Sequence, residues 1–182
     1  MTGGNVRVRS TAALILVCIA LGAAAAEAVV LGAEQRAELV ALERIRGDAL
    51  EPSHLRDKVV VVTFFASWCP PCRAEFVHLN RMTEEFDGAD LTVVAINVFE
   101  EFDENDRVRL ARFLEDTQPR FHVVKGDASV KRTFADVNRI PTVFVFDRTG
   151  HSVLHFIHAR GASKMSVDED ELRIAISQAL TR

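Results

Sequence analysis

Residues 58–75 read KVVVVTFFASWCPPCRAE. Lys58 to Ala66 is an unbroken β-branched and aromatic run, the pattern of a strand buried on both faces. From Pro70 the spacing changes. Phe76, Leu79, Met82 and Phe86 recur at intervals of three and four, which predicts a helix over 70–86 with Gly88 as its stop. Cys69 and Cys72 therefore fall where a buried strand turns into a helix. Two intervening residues on a helical turn bring the two sulfurs within bridging range. The helix start offers unpaired N–H groups and the positive end of the dipole, which favours a thiolate over a thiol. Pro71 suits the first turn, where a missing N–H costs little. Cys69 is expected at the exposed mouth and Cys72 pointing inward. Such a pair can attack a substrate disulfide through Cys69 and resolve the mixed disulfide through Cys72.

Working outward, strands and helices alternate. Leu91 to Val98 reads as a second buried strand. Asp106 to Asp116 reads as an amphipathic helix with Val108, Leu110, Ala111 and Leu114 on its apolar side. Phe121–Val124 suggests a short strand and Ala128–Ala135 a short helix. Thr142–Asp147 and Ser152–Ile157 form a hairpin around Arg148–Thr149–Gly150, and Val167–Leu180 is a closing helix with Leu172, Ile176 and Leu180 on one side. Glu34–Leu55 is open between a short helix and a strand and turn at Gly47–Asp48. The acidic stretch Glu100–Asp106 is expected to be a solvated loop. This order predicts an α/β fold with a central mixed sheet and helices on both faces.

The chain has 182 residues, 48% hydrophobic and 26% charged, enough for one domain with a real core and against disorder. A formal net charge of −4 with no basic cluster argues against a nucleic-acid partner. Residues 1–26 pair a basic start (Arg7, Arg9) with an apolar run too short for an ordinary bilayer span. They read as a signal peptide cut after Ala26 or Ala28, or as an uncleaved N-terminal anchor; under both readings the 27–182 domain leaves the cytoplasm. An anchor would be the chain's only tie to a membrane. Cys18, preceded by Val17, lacks the small neighbour that lipid attachment needs. Cleavage would leave Cys69 and Cys72 as the sole cysteines, in a compartment that permits disulfides.

The segments VVVVTFFASWCPPCRAE (59–75) and RIPTVFVFDRTG (139–150) resemble the thioredoxin superfamily, and within it the extracytoplasmic TlpA/ResA/CcmG-like branch of thiol-disulfide oxidoreductases. The resemblance covers about residues 50–182 and implies a thioredoxin-like three-layer fold. It assigns Pro141 to the family's cis-proline, in a loop facing the cysteines, where the Ile140 backbone can pair with an extended substrate segment. It places Glu75 beside the resolving thiol, either as a proton acceptor and donor or as an exposed carboxylate at the helix start. Cytoplasmic thioredoxins carry a buried Asp six residues before the first Cys; here that position is Thr63, which cannot act as a base. The branch often has Pro two residues after this Glu; here the residue is Val77. Trp68 reads as a packing platform beside Cys69 that also contacts substrate. Arg73 reads either as a source of positive potential or as a plain surface arginine.

The function implied is reduction of disulfides in exported proteins, apocytochrome c being the branch's best-known client class, with electrons from a membrane thiol donor and no cofactor. Oxidation of exported proteins uses the same residues. A copper(I)-handling chaperone is the alternative from another class, and a peroxidase a third. Zinc needs two more ligands, and His151, His155 and His158 scatter over both faces of their predicted strand.

Overall fold

The computed structural model describes residues 29–86 and 90–182, together with Met1. The apolar run of the leader, both candidate cleavage sites and Gly88 lie outside them. In chain order the elements are α1 (Ala33–Ala41), β1 (Glu43–Arg46), α2 (Pro52–Leu55), β2 (Val59–Phe65), α3 (Pro70–Glu85), β3 (Leu91–Asn97), α4 (Glu104–Thr117), β4 (His122–Lys125), α5 (Ala128–Thr133), β5 (Thr142–Phe146), β6 (Ser152–Ile157) and α6 (Glu169–Leu180). Residues 34–55 thus hold both a helix and a strand. Leu31 and Leu39 join the core ahead of residue 50.

The six strands form one mixed sheet in the order β1-β4-β3-β2-β5-β6. β2 runs parallel to β3, and β3 to β4; the other pairs are antiparallel. The central β2 is buried at every residue, as its continuous apolar run predicts. Its alternation fixes the layers. Phe65 stacks on Phe113 of α4 and meets Phe76 of α3 at 4.7 Å between ring centroids, whereas Phe64 meets Phe134, just after α5, and Phe144 of β5. Neighbouring side chains on a strand point to opposite faces. Helices therefore cover both sides, each side with its own aromatic cluster.

Local chemistry sets the ends. The β5–β6 turn is held by Asp147 Oδ1, which accepts from the N–H groups of Thr149 and His151. Gly150 sits at φ +90°, where a Cβ would lie 2.6 Å from the Leu31 carbonyl oxygen. Asp103 and Asp168 cap α4 and α6 by accepting N–H bonds from Asp106 and Glu171.

Two expectations need correction. The apolar side of α4 is Leu110, Phe113 and Leu114; Val108 and Ala111 face solvent. The helix starts two residues earlier than the pattern suggests, and the packing of Phe113 on Phe65 and Phe76 sets which side is buried. Nor is the acidic stretch simply solvated. Phe99 and Phe102 adopt left-handed φ, so backbone N–H groups there need acceptors. Asp106, only 8% exposed, accepts from the N–H groups of Glu101 and Phe102 and pairs with Arg109.

Candidate functional site

α3 opens at Cys69, its N-cap, whose Sγ accepts the Cys72 N–H at 3.2 Å. Pro70 and Pro71 fill the first two helical positions, where a residue without N–H leaves no donor unsatisfied. Cys69 and Cys72 are joined as a disulfide with Cα atoms 5.3 Å apart. Cys72 is wholly buried. Cys69 keeps 4% of its surface, so the expected exposed mouth is the floor of a cleft. The cleft encloses about 580 Å³, and Trp68, Phe99 and Ile140 are among the side chains that wall in the Cys69 sulfur.

Across it stands the Arg139–Thr142 loop, with a cis peptide bond between Ile140 and Pro141. The Pro141 carbonyl accepts from the His158 N–H at 3.0 Å, and Thr142 Oγ1 donates to the Arg139 carbonyl at 2.9 Å. The sequence alone favours a trans bond there; the resemblance supplies the cis one. Trp68 is half exposed, and its indole N–H donates to the Phe99 carbonyl at 3.1 Å, bridging the cysteine loop to the β3–α4 loop.

Glu75 lies one turn beyond Cys72 on the same face of α3 and has no exposed surface, which rules out the exposed-carboxylate reading. Its Oε1 accepts from Thr63 Oγ1 at 2.5 Å, and Oε2 is buried without a partner among the described residues. Burial pushes its pKa up to about 8, against the smaller downward pull of the Thr63 hydroxyl. In this disulfide form burial therefore favours the neutral acid at neutral pH. Thr63 cannot replace an acid, but it reaches from β2 to the acid that α3 supplies. α3 runs unbroken through half-exposed Val77. Arg73 pairs with exposed Asp116 at 3.0 Å and covers the Phe113 ring, so its charge is largely spent at the surface.

One acid next to the site was not foreseen. Glu100 Oε1 accepts the Ser67 N–H at 2.5 Å and a hydrogen bond from the Asn97 side-chain amide at 3.3 Å, while Oε2 is buried without a partner among the described residues. Arg109 Nε donates to Ser67 Oγ at 3.0 Å. These contacts tether the loop two residues before Cys69. The signal was present, a carboxylate two residues past a buried strand, but it was masked by the acidic run around it. Among the described residues no group of three potential metal ligands comes together. His155 instead stacks on Phe144 at 4.2 Å, its pKa lowered by burial.

A family model described as AhpC/TSA matches residues 33–153. The thiol-disulfide oxidoreductase ResA of Bacillus subtilis (strain 168) is 29% identical over 151 residues, covering 80% of this chain and 81% of that protein. The thioredoxin-like protein YneN of the same organism is 26% identical over 135 residues, covering 74% and 76%. Among solved structures, one assigned as the thiol:disulfide interchange protein DsbE from Chlorobium tepidum superposes with a TM-score of 0.59 at 28% identity, over 76% of this chain and 90% of that one. A secreted Mycobacterium tuberculosis disulfide oxidoreductase shares the fold, with a TM-score of 0.63 at 19% identity over 81% and 99%. A bonded Cys-X-X-Cys at a helix start, a facing cis-proline and relatives of this kind converge: the chain belongs to the AhpC/TSA family, has a thioredoxin-like fold, and is a thiol-disulfide oxidoreductase acting on protein substrates.

Proposed function

We propose that the Cys69–Cys72 couple works outside the cytoplasm as a reductant of disulfides in exported proteins, in the manner of the TlpA/ResA/CcmG-like branch. The carrying observation is the asymmetry of the pair. Cys69 meets the cleft, while Cys72 is sealed beside a protonated carboxyl. Cys69 thiolate attacks one client sulfur, the client disulfide breaks, and the freed client thiolate takes a proton from water. In the reduced protein Glu75 is the carboxylate, its proton having passed to Cys72 when the disulfide was reduced; Cys72 then returns that proton to Glu75 and attacks the Cys69 sulfur, releasing the second client thiolate. Two electrons pass to the client, and the oxidised protein is left with Glu75 protonated, as burial favours. Trp68, Ile140 and Pro141 hold the client strand at the cleft.

A membrane thiol donor would run the cycle backwards, with Glu75 returning its proton to the departing Cys72 sulfur. The basic and apolar start of residues 1–26 supports export, by a cleaved signal or a retained anchor. No helix among the described residues is long and apolar enough to cross a membrane. Apocytochrome c is the client class the branch suggests.

The test is the equilibrium potential of the couple against glutathione. A value near that of thioredoxin, about −270 mV, is expected, and a value near −120 mV would make the protein an oxidant. Copper(I) retained tightly by the reduced protein, without disulfide reduction, would move it to the chaperone class.

A further inference from the structure

The cleft above Cys69 has a one-sided charge. Arg139 and Arg160 line it, as does His158, and among the described residues none that lines it is acidic. Among the described residues neither arginine forms an ion pair with a carboxylate, although the chain as a whole is acidic. A third cation stands at the rim: Lys131 Nζ lies 4.6 Å above the ring of Phe99, which itself lines the cleft. His158 Nδ1 is buried with no partner among the described residues. Glu100, the nearest acid identified, is bound to Ser67 and Asn97, does not line the cleft and among the described residues forms no ion pair with either arginine. Most of the remaining wall is apolar, from Trp68, Pro70, Pro71, Phe99 and Ile140, with Asn138 as its neutral polar member.

Unpaired guanidiniums around an apolar slot select a carboxylate attached to an apolar or aromatic neighbour. The backbone favours an extended polypeptide. Among the described residues, the Ile140 N–H and C=O take part in none of the turn and loop backbone hydrogen bonds, so they are open to an added strand. We infer that this oxidoreductase selects client segments with acidic residues flanking the target disulfide, read by Arg139 and Arg160 and assisted by Lys131. The inference rests on the proposed exchange at Cys69 and names its substrate class.

The test uses the full reduced protein and three disulfide-bridged peptides of one length, flanked by Glu, Gln or Lys. At about 20 mM salt the Glu peptide is expected to react about tenfold faster than the Lys peptide, and the ratio to approach one at about 0.5 M. In the double variant Arg139→Glu, Arg160→Glu the order should invert; taking the ratio within one protein cancels any general loss of thiol reactivity. Equal rates for the three peptides, or an acidic preference that survives the charge reversal, overturns the inference. Failure of all three to react overturns the exchange reading instead.

Discussion

Replacing Glu75 by Gln keeps the shape of the side chain and removes its proton chemistry, so the variant isolates what burial does to this carboxyl. The group's pKa lies at about 8 in the folded protein and at the ordinary 4.5 when the chain unfolds. A folded pKa above the unfolded one means stability that is complete below about pH 4.5 and is lost as pH rises towards 8. At about 1.4 kcal/mol per unit, the loss relative to the acid plateau is about 1 kcal/mol at pH 5, about 3 at pH 7 and about 5 at pH 9. The Gln variant lacks this slope, while all other titrating groups are common to both proteins. Urea unfolding of the oxidised forms from pH 5 to pH 9 should therefore show the Gln variant gaining about 4 kcal/mol on the wild type. A stability difference independent of pH would refute the claim that Glu75 is a neutral buried acid.

Other outcomes follow from the same geometry. Cys69→Ser should abolish exchange and Cys72→Ser should trap client mixed disulfides, seen on non-reducing gels; full turnover by Cys72→Ser would reverse the assigned roles. Thr63→Val removes the hydroxyl that pulls the Glu75 pKa down, so the pH midpoint of resolution should move upward; an unmoved midpoint would uncouple the two residues. Glu100→Ala strands the Ser67 N–H and should cost about 1–3 kcal/mol in urea unfolding, with no such loss if the tether is incidental. Phe76→Ala, at the centre of one aromatic cluster, should cost about 3–5 kcal/mol by the same measurement.

The parts of the molecule that were legible in the sequence are those where one stretch of chain carries its own answer. The apolar run of β2, the spacing along α3 and the position of Cys69 and Cys72 between them are local patterns, and each stands where it was expected. The cis bond before Pro141 came from family resemblance, because nothing local distinguishes it from a trans one. What stayed hidden depends on contacts between distant segments. Glu75 could not be placed inside or outside until Thr63, twelve residues earlier on β2, was seen to meet it. Glu100 looked solvated because its partner, the Ser67 N–H, lies 33 residues away. The buried side of α4 is not legible locally, because Val108 and Ala111 are apolar yet exposed and the packing of Phe113 on Phe65 sets the face.

The buried carboxyl also determines how the protein's reduction potential should respond to pH. In the oxidised form Glu75 holds a proton below about pH 8. If that proton passes to the Cys72 sulfur on reduction, the reduced protein draws one proton fewer from solvent than it would without the acid. For a two-electron couple, each proton taken from solvent lowers the potential by about 30 mV per pH unit. Below pH 8 the potential of Glu75→Gln should therefore fall more steeply with pH than that of the wild type, by about 30 mV per unit. The state of the Cys69 thiol enters both proteins alike and drops out of the comparison. Glutathione equilibria at half-unit steps from pH 6 to pH 8 would resolve the two slopes. Parallel lines would mean that the Cys72 proton is exchanged with water, leaving Glu75 a buried acid with no part in the electron transfer.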